Sequence, residues 1–522
     1  MNLQKKLFIN WFFPKELPPC FNIDIFSNTY DILLSKAKEN TKSSKMFNYS
    51  IPKNRSSRRK IWIVNPINYI ILCNTICESW NDIETLMIDE KWIRSFTSVD
   101  LNGDKIKYKH DFSKFLETSM CSWIGKKFLL KLDINRFYSS VYTHTIPWII
   151  HGKNHAKKKR NDKSLLWNKL DYLVRRLQDQ QSIWIPTWID TSFIISEIIV
   201  TYIGNRVSSN FDAIEILRYA DDFHIYANSH QEIDEVKSYF QVILNDIELW
   251  LNDEKTSIIS SLEIFQKNWS HTLSTFNFWY NESYTQSQKI LKYFSTMYEL
   301  VQSISDDKII SYWLEVIKNL KVENDAWDTF ERLLLKTIIH YPINIKLVSR
   351  ILLSYNKAGY ALNKQLIYEV CNTLILTWIS IWKHYEVCRW LWLILKLKID
   401  LDDTLVETIL FSDNTLWKII VMDLIDKSLV NKYKYKSVLN KIESSLNNWD
   451  MLDEYRLLRY EAYINSWLDI DANLIDDIEF FSYIKWENIW FYNSDIDLEL
   501  FDINSLEETF SNDLSENVIV GY

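Results

Sequence analysis

The sequence predicts an α+β chain in two parts, a sheet-bearing front and an all-helical remainder, and three observations carry that prediction. Leu217-Arg218-Tyr219-Ala220-Asp221-Asp222-Phe223-His224-Ile225-Tyr226 sets two adjacent carboxylates between short runs rich in β-branched and aromatic residues. This pattern reads as a tight hairpin with Asp221 and Asp222 at its tip. Upstream, Lys127-Phe128-Leu129-Leu130-Lys131-Leu132-Asp133 is an apolar strand that ends on a carboxylate and breaks into a turn through Ile134-Asn135-Arg136-Phe137-Tyr138. From about residue 288, strand-like alternation gives way to apolar spacings of three and four in successive segments of helical length.

Taken in order, the front half holds the strand ending at Asp133, the Asp221-Asp222 hairpin and then a helix over 233–250. In that helix Ile233, Val236, Phe240, Ile243, Leu244 and Ile247 form one apolar face. The remainder reads as helices at Ile290 to Ile304, Lys308 to Leu320, Asp325 to His340, Ile343 to Tyr355, Asn363 to Trp382 and Leu416 to Val430. Breaks fall at Asp306-Asp307, Pro342, Gly359 and Ser412-Asp413-Asn414. Short connections between such helices suggest stacked antiparallel pairs, an α-solenoid, with no repeat consensus in the sequence. Trp313, Trp327, Trp378, Trp382, Trp390 and Trp392 are expected in the core and between helices. Base stacking is the alternative use of such aromatics. The end of the chain, with Asp495, Asp497, Glu499, Asp502, Glu507 and Glu508, reads as acidic helix and loop.

Composition bounds the answer independently. A chain of 522 residues has room for two or three domains with substantial cores. Six glycines, eight prolines, 23 Trp and 29 Tyr point to a globular rather than a disordered chain. The six cysteines form no Cys-x-x-Cys pair, and Cys73 and Cys77 read as two thiols on one helix rather than a metal site; a reduced cytosolic compartment fits best. The apolar run after Met1-Asn2-Leu3-Gln4-Lys5-Lys6-Leu7 is too short for a signal peptide, and stretches such as Thr373 to Trp382 are too short to span a bilayer. The net charge of −8 hides an asymmetry: residues 1–200 hold 31 Lys/Arg against 19 Asp/Glu, and residues 301–522 hold 22 against 35. A basic front suits phosphate chemistry, and the acidic tail argues against broad duplex binding by the whole chain. The densest basic run, His151-Gly152-Lys153-Asn154-His155-Ala156-Lys157-Lys158-Lys159-Arg160, reads either as a backbone-tracking element or as a solvated loop.

Three carboxylates gathered by one sheet would suit divalent metal, because Mg²⁺ prefers a few hard oxygen ligands plus substrate phosphates. Two-metal phosphoryl transfer needs that cluster, one ion at the attacking hydroxyl and one at the leaving group. Three further Asp-Asp pairs, Asp306-Asp307, Asp402-Asp403 and Asp476-Asp477, lie in helical or helix-joining segments and read as solvated charge. Asp133 alone would be a strand-end cap or turn residue; its partnership with the hairpin makes it a candidate.

With these residues in view, the chain resembles the reverse transcriptases. The Asp133 segment, the Tyr-Ala-Asp-Asp hairpin and Leu251-Asn252-Asp253-Glu254-Lys255-Thr256 look like that family's motifs A, C and D, over roughly residues 1–285. Met46 to Lys53 with Arg58-Arg59-Lys60-Ile61-Trp62 resembles the bacterial fingers segment. The resemblance implies Asp133, Asp221, Asp222 and Lys255 as catalytic residues. It implies Asp133, Ile134, Asp221 and Asp222 as ligands of two Mg²⁺ (or Mn²⁺) ions, and Arg58, Arg59, Lys60, Ile134, Tyr138 and Pro186 on the incoming nucleotide. Tyr138 matches the steric gate that excludes a 2′-hydroxyl, a core aromatic being the alternative, and Lys255 is either a proton donor to pyrophosphate or a surface lysine. One departure matters: where the family's motif B has glycines, Trp184-Ile185-Pro186-Thr187-Trp188-Ile189-Asp190 has tryptophans at both positions. Glycine there lets the backbone approach a base pair closely, and two indoles would fill or reshape that space.

That departure and the helical tail make the chain similar to the abortive-infection (Abi) reverse transcriptases of bacteria and prophages. The resemblance implies a fingers-palm core, an antiparallel sheet plus helices with no conventional thumb, over 1–285. A HEAT-like helical repeat domain over 286–522 would follow. It further implies dNTP substrates, a single-stranded DNA product made by protein-primed, template-independent synthesis, homo-oligomeric assembly without a membrane, and phage defence in the bacterial cytoplasm. Tyr30, Tyr49 and Tyr69 lie in the fingers region as candidate primers, but the sequence does not choose among its tyrosines. Two rivals stand beside this reading: an RNA-templated, primer-dependent enzyme of retron type, and a catalytically silent scaffold.

Overall fold

A computed structural model of the chain describes residues 3–503, apart from 11, 56, 90–92, 98, 101–106, 109–111, 122–124, 212–213, 261–283, 305, 449 and 497–498. The acidic residues expected at Asp497, Glu507 and Glu508 lie outside the described residues. The structure is mixed α and β, and it divides into two compact units. One comprises Met1–Pro14, Ile23–Phe47 and Trp62–Trp269; the other comprises Lys15–Asn22, Asn48–Ile61 and Ser270–Tyr522. Two short front segments, Lys15–Asn22 and Asn48–Ile61, belong with the helical unit. Side-chain bonds inside that unit give the reason. Arg389 donates to the carbonyls of Lys15, Glu16 and Leu17 at 3.1, 2.8 and 2.6 Å, and Arg58 is bound to Glu386.

The strands, in chain order, are β1 (Phe47–Pro52), β2 (Arg58–Ile63), β3 (Ile93–Ser95), β4 (Val99–Asp100), β5 (Lys107–Tyr108), β6 (Phe128–Asp133), β7 (Glu215–Tyr219), β8 (Asp222–Ala227) and β9 (Ser257–Ser260). The first unit is built on a five-stranded sheet of order β3-β7-β8-β6-β9. The expected antiparallel sheet is antiparallel except at one edge, where β3 runs parallel to β7 with Ser95 opposite Arg218. Leu129 of β6, Leu217 of β7 and Tyr226 of β8 bury one face against Phe96 and Phe115. The helix His230–Asp246 buries Ile233, Val236, Phe240, Ile243 and Leu244, the apolar face expected from its spacing. Ser229 caps it by accepting from the Glu232 amide at 3.2 Å, and Phe240 packs edge-on against Phe223 of β8. The helix Asp190–Ser208 crosses β3 and β8 at Gly204, where a Cβ would stand 3.2 Å from Ile93 and 3.6 Å from Phe223. A side chain there would push helix and sheet apart.

In the helical unit, Gln286–Ile304, Asn324–His340, Lys364–Ser380, Asp403–Phe411 and Lys436–Leu446 form one row, each helix packing on the next. Lys308–Ile317, Ile345–Lys357, His384–Leu397, Thr415–Asp426 and Arg456–Ile464 form a second row in the same manner. Stacking buries the second row most completely, and His384–Leu397 is buried at nearly every position, its buried Glu386 and Arg389 each satisfied by hydrogen bonds. The breaks are those expected: Asn414 caps Thr415–Asp426 through the amides of Leu416 and Trp417, and Gly359 turns the chain at a φ of 95°. Trp313, Trp327, Trp378, Trp390 and Trp392 are buried as expected, whereas Trp382 is 60% exposed, because its φ of 58° ends the helix before the residue reaches the packed face. No helix among the described residues is long and apolar enough to cross a membrane.

Candidate active site

The two carboxylate motifs meet through strand register. β6 pairs antiparallel with β8, and in that pairing Asp133 stands directly opposite Asp222. β8 in turn pairs with β7, Tyr219 opposite Asp222, which leaves Ala220 and Asp221 as a two-residue hairpin turn. Asp221 is thus at the tip, and Asp222 is the first residue of the returning strand. Two-residue hairpins ask for positive φ at the first turn position, where glycine is usual. Ala220 adopts a φ of 52°, a left-handed backbone that costs a non-glycine residue ~1–2 kcal/mol.

The third motif joins Asp133 directly. The Asn252 amide donates to the Asp133 carbonyl at 2.8 Å, extending the ladder one residue past an Ile134–Leu251 bridge. The chain then turns, so that Asn252 Nδ2 donates to Asp133 Oδ1 at 2.8 Å and Lys255 Nζ to Asp133 Oδ2 at 2.5 Å. Asp133 is 6% exposed, so its charge is answered by a specific cation rather than by water. Burial, with the Asp221 and Asp133 carboxylates beside it, pushes Asp222 up to about 7. Partial burial works against the Lys255 charge, yet the hydrogen bond to Asp133 and the two hairpin carboxylates outweigh it and raise the ammonium pKa. Asp133 and Asp222, opposed by register, are oxygen donors that repel one another, the kind of pair that fits a hard divalent cation. Among the described residues no three His, Cys, Asp or Glu side chains stand as a group that could hold a metal ion, and both Asp133 oxygens accept hydrogen bonds, from Asn252 and Lys255.

Several buried residues that the sequence reading passed over hold this turn. Arg218 of β7 is 1% exposed and donates through Nη1 to Glu197 Oε2 at 3.0 Å and through Nη2 to Thr201 Oγ1 at 3.2 Å. Its Nη1 also reaches the Ala220 carbonyl at 3.4 Å. Thr97 donates to Glu197 Oε1 at 2.9 Å and accepts from the Ala220 amide at 3.2 Å. Asp89 adds a second carboxylate 3.6 Å from Arg218. Burial raises the Glu197 pKa, against the opposing pull of Arg218. The available signal was an Arg inside an apolar strand and a Glu inside the apolar helix run Phe193 to Val200. A lone charge in such a run demands a partner.

The motif B tryptophans keep glycine-like backbone. Trp184 has a φ of 69° and Trp188 a φ of 76°. The Trp184 amide donates to the Val141 carbonyl at 2.7 Å, the Ile185 amide to Tyr138 at 2.9 Å, and Gln178 Nε2 to the Trp184 carbonyl at 2.9 Å. These bonds tie the segment to the turn that follows Asp133 and hold the strained backbone in place. The Trp184 indole stacks on Trp62 with centroids 4.8 Å apart and planes 18° from parallel. Tyr138 is half-buried, and its hydroxyl shares a 3.0 Å hydrogen bond with Ser196 of the Asp190–Ser208 helix. Pro186 is buried between the two tryptophans in sequence, and Ile134 is 1% exposed at the ladder's end.

Arg58, expected on nucleotide phosphates, makes a two-pronged pair with Glu386 at 2.7 and 2.8 Å and donates to Ser50 Oγ at 2.7 Å. Arg59 and Lys60 are exposed on β2, in the segment that belongs to the helical unit. Tyr30, Tyr49 and Tyr69 are fully buried, and burial raises the pKa of each phenol, so none of the three stands ready as a primer. The basic run after His151 is a short helix, Lys153–Lys158, rather than a loop. Lys153 is bound to Glu248 at 2.8 Å, and Lys157 to Arg160 are exposed. Cys73 is buried and Cys77 half-buried on the helix Pro66–Glu78, and burial raises both thiol pKa values.

No family model matches the chain, and no curated protein matches it. Solved structures similar to it include telomerase from Candida albicans in complex with a TWJ fragment of telomeric RNA. That structure is 11% identical over 80% of this chain and 68% of that one, with a TM-score of 0.31. Apo telomerase from Candida tropicalis is likewise 11% identical, over 77% of this chain and 74% of that one, with a TM-score of 0.31. A likeness at that score decides neither the fold nor the activity of this chain.

Proposed function

We propose that this chain is a nucleotidyl transferase of reverse-transcriptase type that adds deoxynucleotides to a hydroxyl. The observation that carries the reading is the register that sets Asp133 opposite Asp222, with Asp221 in the adjoining turn and Lys255 on Asp133. Asp133, Asp221 and Asp222 would hold divalent magnesium, which when bound activates the attacking hydroxyl and neutralises charge on the leaving pyrophosphate. Within the chain's own residues, Lys255, bonded to Asp133, holds a positive charge beside the carboxylates and would donate to a leaving phosphate. Tyr138, its hydroxyl tethered to Ser196, would bar a ribose 2′-hydroxyl by bulk.

Template-free addition is the finer reading, supported by the Trp62–Trp184 stack and by indoles at both left-handed positions, where a side chain fills space that glycine would leave open. Priming by a protein hydroxyl, assembly into oligomers and a part in phage defence rest on the Abi resemblance alone.

The test is incubation of purified protein with Mg²⁺ and labelled dNTPs, without primer or template, beside Asp221→Ala. Label that survives denaturation on the protein and is missing from the variant supports self-primed synthesis. Extension only after primer and template are supplied would replace template-free addition with templated copying. No incorporation under either condition would sink the polymerase reading.

A further inference from the structure

The hairpin turn that carries Asp221 and Asp222 is held from beneath by a buried charged cluster, and two hydrogen bonds of that cluster end on the turn's own peptide groups. Ala220 is the one residue between β7 and Asp221, and its φ of 52° is unfavourable for any residue with a Cβ. Both of its polar backbone groups are engaged: its amide donates to Thr97 Oγ1 at 3.2 Å, and its carbonyl lies 3.4 Å from Arg218 Nη1. Thr97 and Arg218 are themselves fixed by Glu197, which accepts from the one at 2.9 Å and from the other at 3.0 Å. Thr97, Glu197 and Arg218 are 0%, 2% and 1% exposed, so the cluster neither meets solvent nor touches a substrate.

Apolar side chains of similar volume would pack the same space at lower desolvation cost, and a buried ion pair is weak support for stability by itself. A guanidinium can satisfy a carboxylate, the Thr201 hydroxyl and a backbone carbonyl together, and apolar packing offers no such direction. We infer that Arg218, with Glu197 and Thr97, is a positioning residue: it holds Ala220 in the left-handed conformation that aims Asp221 and Asp222 at the Asp133 side of the sheet. This rests on the proposed function, since the aim matters only if those carboxylates bind metal.

The test compares the full-length wild type with three variants: Arg218→Met/Glu197→Met, the same pair with Ala220→Gly added, and Arg218→Lys. The first replaces the Arg218–Glu197 pair together, so that neither of these two is left without the other, and leaves Asp89 as the one carboxylate of the cluster. The last keeps a cation beside Glu197 but lacks the planar fork, which covers the case in which the double variant does not fold. Mn²⁺ binding is measured by calorimetry, and nucleotide incorporation is measured across a Mg²⁺ titration.

The double variant is expected to need about tenfold more Mg²⁺ for half-maximal incorporation, equivalent to about 1.4 kcal/mol, and to bind Mn²⁺ correspondingly more weakly. Arg218→Lys should shift both in the same direction by about threefold, as a single-pronged donor replaces the fork. Adding Ala220→Gly should recover part of the loss, because glycine takes the left-handed turn without a clamp. A role confined to holding up the fold would show no such rescue. Wild-type metal dependence in the double variant and in Arg218→Lys, or no recovery with glycine, overturns the inference while leaving the polymerase reading intact. A wild-type protein that neither binds Mn²⁺ nor incorporates nucleotide overturns both.

Discussion

Arg58→Ala separates two roles for one side chain. A guanidinium on the phosphates of a nucleotide would make its loss a binding defect, read as a raised KM for dNTPs with the folded protein unchanged. In the structure Arg58 instead donates through both terminal nitrogens to Glu386, which is 1% exposed, and through Nε to Ser50. Removing one member of a buried ion pair leaves the other charge stranded, typically at ~3–5 kcal/mol. The Arg58 side chain is 26% exposed, so water can reach part of the gap and the lower end, about 3 kcal/mol, is expected. For a unit of the helical unit's size that lowers its melting temperature by about 6–12 °C. Calorimetry of the full-length chain should show this shift for Arg58→Ala, and Glu386→Ala should move the same transition. A melting profile within about one degree of wild type, together with a raised dNTP KM, would refute the structural role and return Arg58 to the nucleotide.

Two further outcomes follow from strain and burial. Trp184→Gly and Trp184→Ala both lose the stack on Trp62, but only alanine keeps the penalty of the 69° φ. The glycine variant should therefore be the more stable by about 1 kcal/mol, and an alanine variant that melts at or above it would contradict the backbone account. Burial pushes Glu461 up to about 8 although its carboxylate accepts from the Phe491 amide at 2.7 Å. Its folded pKa lies above the unfolded value near 4.5, so the folded state binds the extra proton and this residue's contribution to stability falls as pH rises from 4.5 to about 8. Glu461→Gln should flatten that part of the profile, gaining on wild type at pH above about 8, and identical slopes in the two proteins would exclude the assignment.

Much of the fold was legible locally because helices and hairpins write their period into a few neighbouring residues. The face Ile233 to Leu244, the strand into Asp133 and the breaks at Gly359 and Ser412-Asp413-Asn414 appear where spacing and turn chemistry put them. The candidate site was legible as three motifs, and strand register sets Asp133 opposite Asp222. Arg58, the tyrosines and the cluster beneath the turn were not legible, for a common reason. Arg58 and Glu386 are 328 residues apart, and Arg218 and Thr97 are 121 apart. Tyr30, Tyr49 and Tyr69 read as accessible hydroxyls until packing closes over them.

By itself, then, the sequence determined the strand into Asp133, the hairpin and where it turns, the helix after it and the helices of the tail, and that three carboxylates and a lysine sit at element ends. Only the tertiary structure decided that Asp133 faces Asp222 rather than a neighbour one residue away, a slip that would turn its side chain to the opposite face of the sheet. Tertiary structure also decided that Lys255 lies on Asp133, that Arg58 is spent on Glu386, and that an alanine can hold a glycine's turn. Periodicity is a property of one segment, whereas register, ion pairing and strain depend on which two surfaces meet, and no local pattern encodes the partner.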